Sequence, residues 1–200
     1  MLVIIEWVDL CWKSTLIDKM NRLINGVRVF TVPRDLLPKR NNERVRRKLW
    51  KFYIERLEEA KTILSDPECS GQIIVFDRFH LSELVYGKVV RWYDSKDMEE
   101  YQKKVDDLLY EIDKLYGLGF IYLSDNTESI RQRFLEKGDE YITDKKLYHN
   151  LKVEYGKQLN PLEKKYRVVK INVFEQDNYW NRIIDELLLP DYKYVRQWLM

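Results

Sequence analysis

The chain has 200 residues, 45% hydrophobic and 34% charged, with a formal net charge of +2. Near-neutrality gives no general attraction to nucleic acid, and the apolar start is broken by Glu6 and Asp9 too early for a secretion signal or a membrane span. Cys11 and Cys69 lack CxxC spacing and cannot form a disulfide framework, so a reducing cytoplasm is the expected setting, with neither nucleic acid nor membrane as partner. With few glycines and prolines for linkers, one domain over 1–200 is expected.

In chain order, LVIIE at 2–6 reads as a buried strand, followed by a short polar turn and a helix entered at Lys13-Ser14-Thr15. VRVFTV at 27–32 is the second strand. A helix follows over 42–64, where Val45, Leu49, Phe52, Leu57, Ala60 and Ile63 or Leu64 form one apolar face, and Asp66-Pro67 ends it. The basic run from Arg34 to Lys51 is expected to be the solvated side of that helix rather than an anion-attracting patch. QIIVFD at 72–77 is the third strand, with helices expected at 81–92 and 98–116. GFIYLS at 119–124 and RVVKINV at 167–173 are the remaining strands, separated by helices at 127–137 and 146–165, and a last helix is expected at 177–188. Apolar strands alternating with helices predict an α/β fold, a doubly wound five-stranded parallel sheet. Ligands of such sheets bind beyond the carboxyl ends of the strands. Glu6 to Lys13, Thr31 to Asp35 and Asp77 to His80 should therefore gather at one rim.

The first of these segments, EWVDLCWKST, has the frame of a phosphate-binding loop. In G-x-x-x-x-G-K-[ST], backbone amides and a helix N-terminus surround the phosphates, lysine adds a point charge, and the hydroxyl binds magnesium. Lys13, Ser14 and Thr15 stand where those roles require, but Trp7 and Trp12 occupy both glycine positions. In the third segment, Asp77 at a strand end beside the first can serve magnesium, and Arg78 can grip an anion bidentately. His80 reads as a polar loop residue.

These residues carry a resemblance. The opening resembles the E-G-x-D-x-x-G-K-S-T of the thymidylate kinase family and its relatives among P-loop deoxynucleoside and nucleotide kinases, matched by Glu6, Asp9, Lys13, Ser14 and Thr15. DRFHLSELVYG resembles the family's D-R-[YFW]-x-x-S-x-x-[AV]-Y-x-G through Asp77, Arg78, Phe79, Ser82, Val85, Tyr86 and Gly87. Phe52 and Arg56 resemble a base-stacking phenylalanine and an arginine four residues on. TESIRQRFLEKGDEY resembles the mobile lid (about 127–145), with Arg131 and Arg133 reaching the transferring phosphate. Arg34 and Asp35 stand only approximately where the family has Arg-Glu-Pro.

The resemblance implies γ-phosphoryl transfer from ATP, with Mg2+, to a deoxynucleoside or its monophosphate, and it implies a homodimer. Asp9, Lys13, Ser14 and Thr15 would hold the nucleotide, Ser14 and Asp77 would serve the metal, and Asp9 would contact the sugar. Arg34, Phe52, Arg56, Arg78, Ser82 and Tyr86 would bind the acceptor.

Indoles at both glycine positions predict that this loop cannot close around a phosphate. A forced left-handed residue costs about 1–2 kcal/mol, which a domain survives. Losing about three hydrogen bonds to a charged phosphate costs on the order of 5–9 kcal/mol, which a nucleotide site does not. The repeated use of one bulky residue suggests deliberate disabling. The expectation is a kinase-like scaffold with ATP binding and catalysis strongly impaired. Its rivals are an active kinase with a rebuilt loop, a non-catalytic deoxynucleotide-binding protein, and a homodimeric interaction protein.

Overall fold

All five apolar runs are strands of one sheet. The computed structural model describes residues 1–7, 13–38, 41–69, 71–124, 128, 132, 145–172 and 179–188. Strands β1 (Leu2–Trp7), β2 (Val27–Thr31), β3 (Ile73–Asp77), β4 (Leu118–Ser124) and β5 (Arg167–Asn172) lie in the order β2-β3-β1-β4-β5. Every adjacent pair is parallel. The three central strands are apolar without alternation because helices cover both faces, and Leu2 to Ile5, Ile73 to Phe76 and Phe120 to Leu123 are all buried. Ile5 pairs with Asp77, so the expected carboxylate does end a strand beside the first.

The chain leaves β1 toward β2 on one side and leaves β3 toward β4 on the other. With right-handed crossovers these connections run over opposite faces, which opens a crevice beyond the carboxyl ends of β1 and β3. That crevice is where the fold places a ligand.

The helices are α1 (Lys13–Leu23), α2 (Glu43–Ser65), α3 (His80–Val89), α4 (Ser95–Tyr116), α5 (Lys145–Glu163) and α6 (Tyr179–Ile183), which continues as a wider π turn over Ile184–Leu188. Asn42 caps α2 by accepting from the Val45 N–H at 3.2 Å. Helix α4 starts three residues before the expected 98 because the Asp94 side chain accepts the Lys96 N–H at 2.8 Å. Helix α3 stops at Val89 rather than running to 92. The helix expected at 127–137, and the lid around it, fall almost entirely outside the described residues. Among the described residues no helix is long and apolar enough to cross a membrane.

The basic run is only partly a solvated surface. Arg44, Arg47, Lys48 and Lys51 are exposed as expected. Arg46 is buried, because it lies three and seven residues before Leu49 and Tyr53 on the inward face of α2. Its guanidinium pairs with Asp97 and lies 4.9 Å from the Trp50 ring and 4.8 Å from the Tyr93 ring.

One glycine records a close approach. A Cβ on Gly119 would stand 2.2 Å from Leu187 Cδ1 and 2.8 Å from its Cγ. Leu187 is itself buried, so the π turn after α6 packs directly on the β4 backbone. Gly119→Ala should therefore cost about 1–3 kcal/mol by overpacking, read as a lower denaturation midpoint, and trimming Leu187 in the same chain should recover part of the loss.

Candidate functional site

The site is organised by a carboxylate buried at the end of β1. Helix α3 begins without a local cap: its N-cap residue is Phe79, whose side chain cannot accept a hydrogen bond. The orphan donors at a helix start need an acceptor. Glu6 supplies it from β1, seventy-odd residues away in sequence. Its Oε1 accepts the Phe79 N–H at 3.1 Å and the Ser82 N–H at 3.3 Å, and its Oε2 accepts the Ser82 hydroxyl. The Ser82 Oγ also lies 2.8 Å from the Tyr155 hydroxyl on α5. Since Ser82 has one proton and gives it to Glu6, Tyr155 donates to Ser82.

Glu6 is fully buried. Burial pushes its carboxyl up to about 7, against the opposing pull of Ser82, the Arg78 charge and the Phe79 amide. His80, the first residue of α3, is also buried and is not the polar loop residue expected from sequence. Its ring packs edge-on against Phe79 at 5.0 Å and Phe120 at 6.3 Å, and burial lowers it to about 3, so it stays neutral. An aromatic pocket between α3 and β4, invisible in the local sequence, takes it inside.

Just before α3 the backbone is strained. Arg78 has φ 62°, in the left-handed region, and its N–H is held by the Ile5 carbonyl at 3.0 Å. For arginine this costs about 1–2 kcal/mol, and such strain tends to be kept where a side chain must be aimed. The guanidinium lies 5.8 Å from the Tyr86 ring.

Arg78 is aimed into a cavity of about 370 Å³ at the crevice. Thr31 and Val32 at the end of β2, Arg34 and Leu37 in the following turn, and Asp77 and Arg78 after β3 form its mouth and wall. Tyr53 from α2 and Ser82, Glu83 and Tyr86 from α3 line it more deeply, with Arg91 beyond the helix end. Glu83 and Arg91 are both buried and form an ion pair, the Arg91 Nη1 donating to Glu83 Oε2 at 2.5 Å while its Nε donates to the Pro38 carbonyl at 2.8 Å. Burial pushes the Glu83 carboxyl up, and Arg91 pulls it back. The cavity thus joins cationic side chains at its mouth, tyrosine rings along its length and a buried polar pair. This suits a ligand with an anionic end and a planar, hydrogen-bonding end.

Arg34, Asp77, Arg78, Ser82 and Tyr86, singled out from sequence, line this one cavity. The Ser82 hydroxyl, however, is committed to Glu6 and Tyr155. Phe52 and Arg56 are not among the lining residues. Phe52 packs on Tyr53 with ring centroids 6.0 Å apart, and Arg56 pairs with Glu59 and lies over Phe30 and Phe52. The ring that α2 sends into the cavity is Tyr53, one residue further on; a one-residue step of 100° separates two adjacent aromatics that the sequence does not distinguish. Glu83, Arg91 and Tyr155 were also missed, since each draws its meaning from a partner on a different turn or helix.

On the phosphate-loop side, Trp7 ends β1 and Lys13 and Ser14 open α1, in strand–loop–helix order. Thr15 is exposed on α1. Asp9, Trp12, Arg131 and Arg133 lie outside the described residues, as do the side chains of Trp7, Lys13 and Ser14. The order of elements is that of a phosphate loop, and in the sequence tryptophan stands at the two positions that its frame gives to glycine.

Two measurements test this geometry. Because Glu6 binds its proton more tightly folded than unfolded, its contribution is fully present below pH 4.5 and is lost as pH rises to about 7. The stability of the native chain minus that of Glu6→Gln should fall by about 3 kcal/mol across that window, read by urea denaturation at a series of pH values. Arg91→Leu leaves Glu83 buried without its cation and should cost about 3–5 kcal/mol, whereas the Glu83→Leu/Arg91→Leu double variant should be clearly more stable than the single.

No protein-family model matches the sequence, and no curated protein matches it. Solved structures do. The deoxyadenosine kinase of M. mycoides, with the products dCMP and dCDP bound, superposes with a TM-score of 0.62 over 92% of this chain and 97% of that one, at 16% identity. YorR of Bacillus subtilis, in complex with phosphorylated GDP, gives 0.57 over 92% and 94%, at 20% identity. Thymidylate kinase of Candida albicans gives 0.56 over 92% and 90%, at 16% identity. The chain has the fold of the P-loop deoxynucleoside and thymidylate kinases.

Proposed function

We propose that this chain is a deoxynucleotide-kinase scaffold with a formed acceptor cavity and a phosphate loop blocked by Trp7 and Trp12. The observation that carries the reading is the cavity at the carboxyl ends of β2 and β3, where Arg34, Asp77 and Arg78 meet Tyr53, Tyr86 and the buried Glu83–Arg91 pair. The acceptor is a deoxynucleoside or, given two arginines at the mouth, its monophosphate. In the bound state Arg78 and Arg34 hold the phosphate, Tyr53 and Tyr86 flank the sugar and base, and the Glu83–Arg91 pair meets the polar edge of the base. The fold shared with kinases whose structures hold deoxynucleotides supports this assignment.

ATP and Mg2+ are what such a scaffold uses, with Asp9, Lys13, Ser14, Thr15 and Asp77 in the corresponding places, Arg131 and Arg133 on a lid over about 127–145, and one domain carrying both. The indoles do not fit a triphosphate, so in the chain as it stands phosphoryl transfer is absent or strongly impaired. A homodimer formed through a helical face belongs to the same reading and is checked by sedimentation velocity.

The test is calorimetry with each deoxynucleoside monophosphate and, separately, with ATP and Mg2+. One or more monophosphates should bind, and Arg78→Ala should weaken that binding by about 10- to 100-fold, the worth of a hydrogen-bonded charge pair. ATP–Mg2+ should give no heat at millimolar concentration. A folded chain that binds no deoxynucleotide removes the reading, and binding of ATP–Mg2+ shows a rebuilt loop.

A further inference from the structure

The turn that ends α3 holds a tryptophan in a glycine's place. After Val89, the N–H groups of Val90 and Arg91 both return to the Tyr86 carbonyl, at 2.9 and 3.0 Å. Trp92 then turns left-handed with φ 52°, and the next N–H, of Tyr93, reaches back to the Gly87 carbonyl at 3.0 Å. Helices commonly stop in this manner, on a left-handed residue whose successor bonds back into the last turn, and that residue is usually glycine. For a bulky side chain the conformation is a genuine outlier.

The indole gains nothing in return. It is 80% exposed and makes no ring contact among the described residues, and the hydrogen bond at this residue is made by its main-chain carbonyl, which accepts from Asn41 Nδ2 at 3.3 Å. Arg78 is the other non-glycine at positive φ among the described residues, and its side chain lines the cavity. Strain at Arg78 sits where a side chain is used; strain at Trp92 does not.

Two other tryptophans among the described residues behave as tryptophans. Trp50 stacks on Tyr101 with centroids 4.6 Å apart and planes 10° from parallel, and Trp180 is buried under the Lys19 ammonium. The chain has six tryptophans and only seven glycines, where an average chain of this length has about 14 glycines. Three of the six stand where glycine is the usual residue: Trp7 and Trp12 by the phosphate-loop frame, Trp92 by its backbone.

Pressure against ATP binding, natural or designed, would account for positions 7 and 12. It does not reach the exposed indole of residue 92, which does not line the cavity. A cause common to all three acts on residue type and not on a site, and coding supplies one: UGA specifies tryptophan in some genetic codes and glycine in another. We propose that positions 7, 12 and 92 are glycine in the protein that the gene's own cell makes, encoded by UGA and written here as tryptophan, so that the native loop is open to a nucleoside triphosphate. The last clause rests on the kinase reading; the glycine assignment does not.

The codons are the first test. UGA at 7, 12 and 92, with UGG at 50 and 180, is the expected result; UGG at any of the three overturns the proposal. The second test is thermal unfolding of this chain, Trp92→Gly and Trp92→Ala. Glycine ordinarily destabilises by freeing the unfolded chain, yet here it should raise Tm by about 2–4 °C over alanine, which keeps the left-handed strain. A Trp92→Gly variant no more stable than Trp92→Ala overturns it. The third test is calorimetry of the Trp7→Gly/Trp12→Gly/Trp92→Gly chain with ATP and Mg2+. Binding that is absent in the parent supports the open loop. Silence in a folded triple variant with UGA codons leaves the glycines assigned and overturns the triphosphate site, and with it the kinase reading.

Discussion

The cavity depends on one carboxylate placed where a carboxylate is expensive. Glu6 ends the apolar run of the central strand β1 and is completely enclosed, so its charge would be costly without partners. It receives two backbone N–H groups and a hydroxyl from α3, which otherwise would start with no acceptor for its first amides. A carboxylate at a helix N-terminus also meets the positive end of the helix dipole. The interaction is therefore reciprocal: the helix makes the buried acid tolerable, and the acid fixes where the helix begins. Tyr155 extends the same network to α5, so three elements from opposite ends of the chain meet at one serine. Arg78, Glu83 and Tyr86 all take their positions from that helix start.

The other end of α3 is held as firmly. Arg91 reaches back to Glu83 and across to the Pro38 carbonyl, tying the end of the helix to the segment after β2 and closing the cavity's inner wall. Such a buried pair contributes little net stability compared with apolar packing, but it confines both side chains to one geometry. Around it, a Cβ on Gly87 would stand 2.5 Å from the Tyr93 ring, and Tyr93 in turn lies under the Arg46 guanidinium. The turn at 90–93 is thus determined by its neighbours on both sides. Residue 92 between them is left-handed at φ 52°, and an indole there is carried as strain.

The two halves of the crevice contrast. On the side of the cavity, a strained arginine, a buried ion pair and a long-range helix cap are all in place. On the side of β1 and α1, the strand, the helix start and the Lys-Ser-Thr order are kept while tryptophan stands at the two positions that the phosphate-loop frame gives to glycine. Scattered loss across the whole site would fit relaxed selection. Confinement of the misfit to tryptophan, with one more instance at an exposed side chain that does not line the cavity, fits a change in how a residue type was written.

Periodicity and composition were sufficient for the sheet. Five apolar runs bounded by polar turns predicted five parallel strands with ends off by no more than one residue, because a strand buried on both faces must be apolar along its length. The rim was legible for the same reason: Arg34, Asp77 and Arg78 stand at or after strand ends, and in a parallel sheet those ends meet, whereas Tyr86, inside α3, was singled out only through the family resemblance. What tertiary structure alone decided were the relations that have no local signature. Tyr53 rather than its neighbour Phe52 enters the cavity because of how α2 is rotated against the sheet. His80 is buried because β4 brings Phe120 to it, and the inward-facing Arg46 finds its partners in Asp97 and the Tyr93 ring, which come from later in the chain. Glu83 and Arg91 are partners because α3 and its turn place them two helical turns apart on one face. Glu6 shows the division most plainly: the sequence puts an acid at the end of a buried strand, but only the fold supplies the helix that needs it.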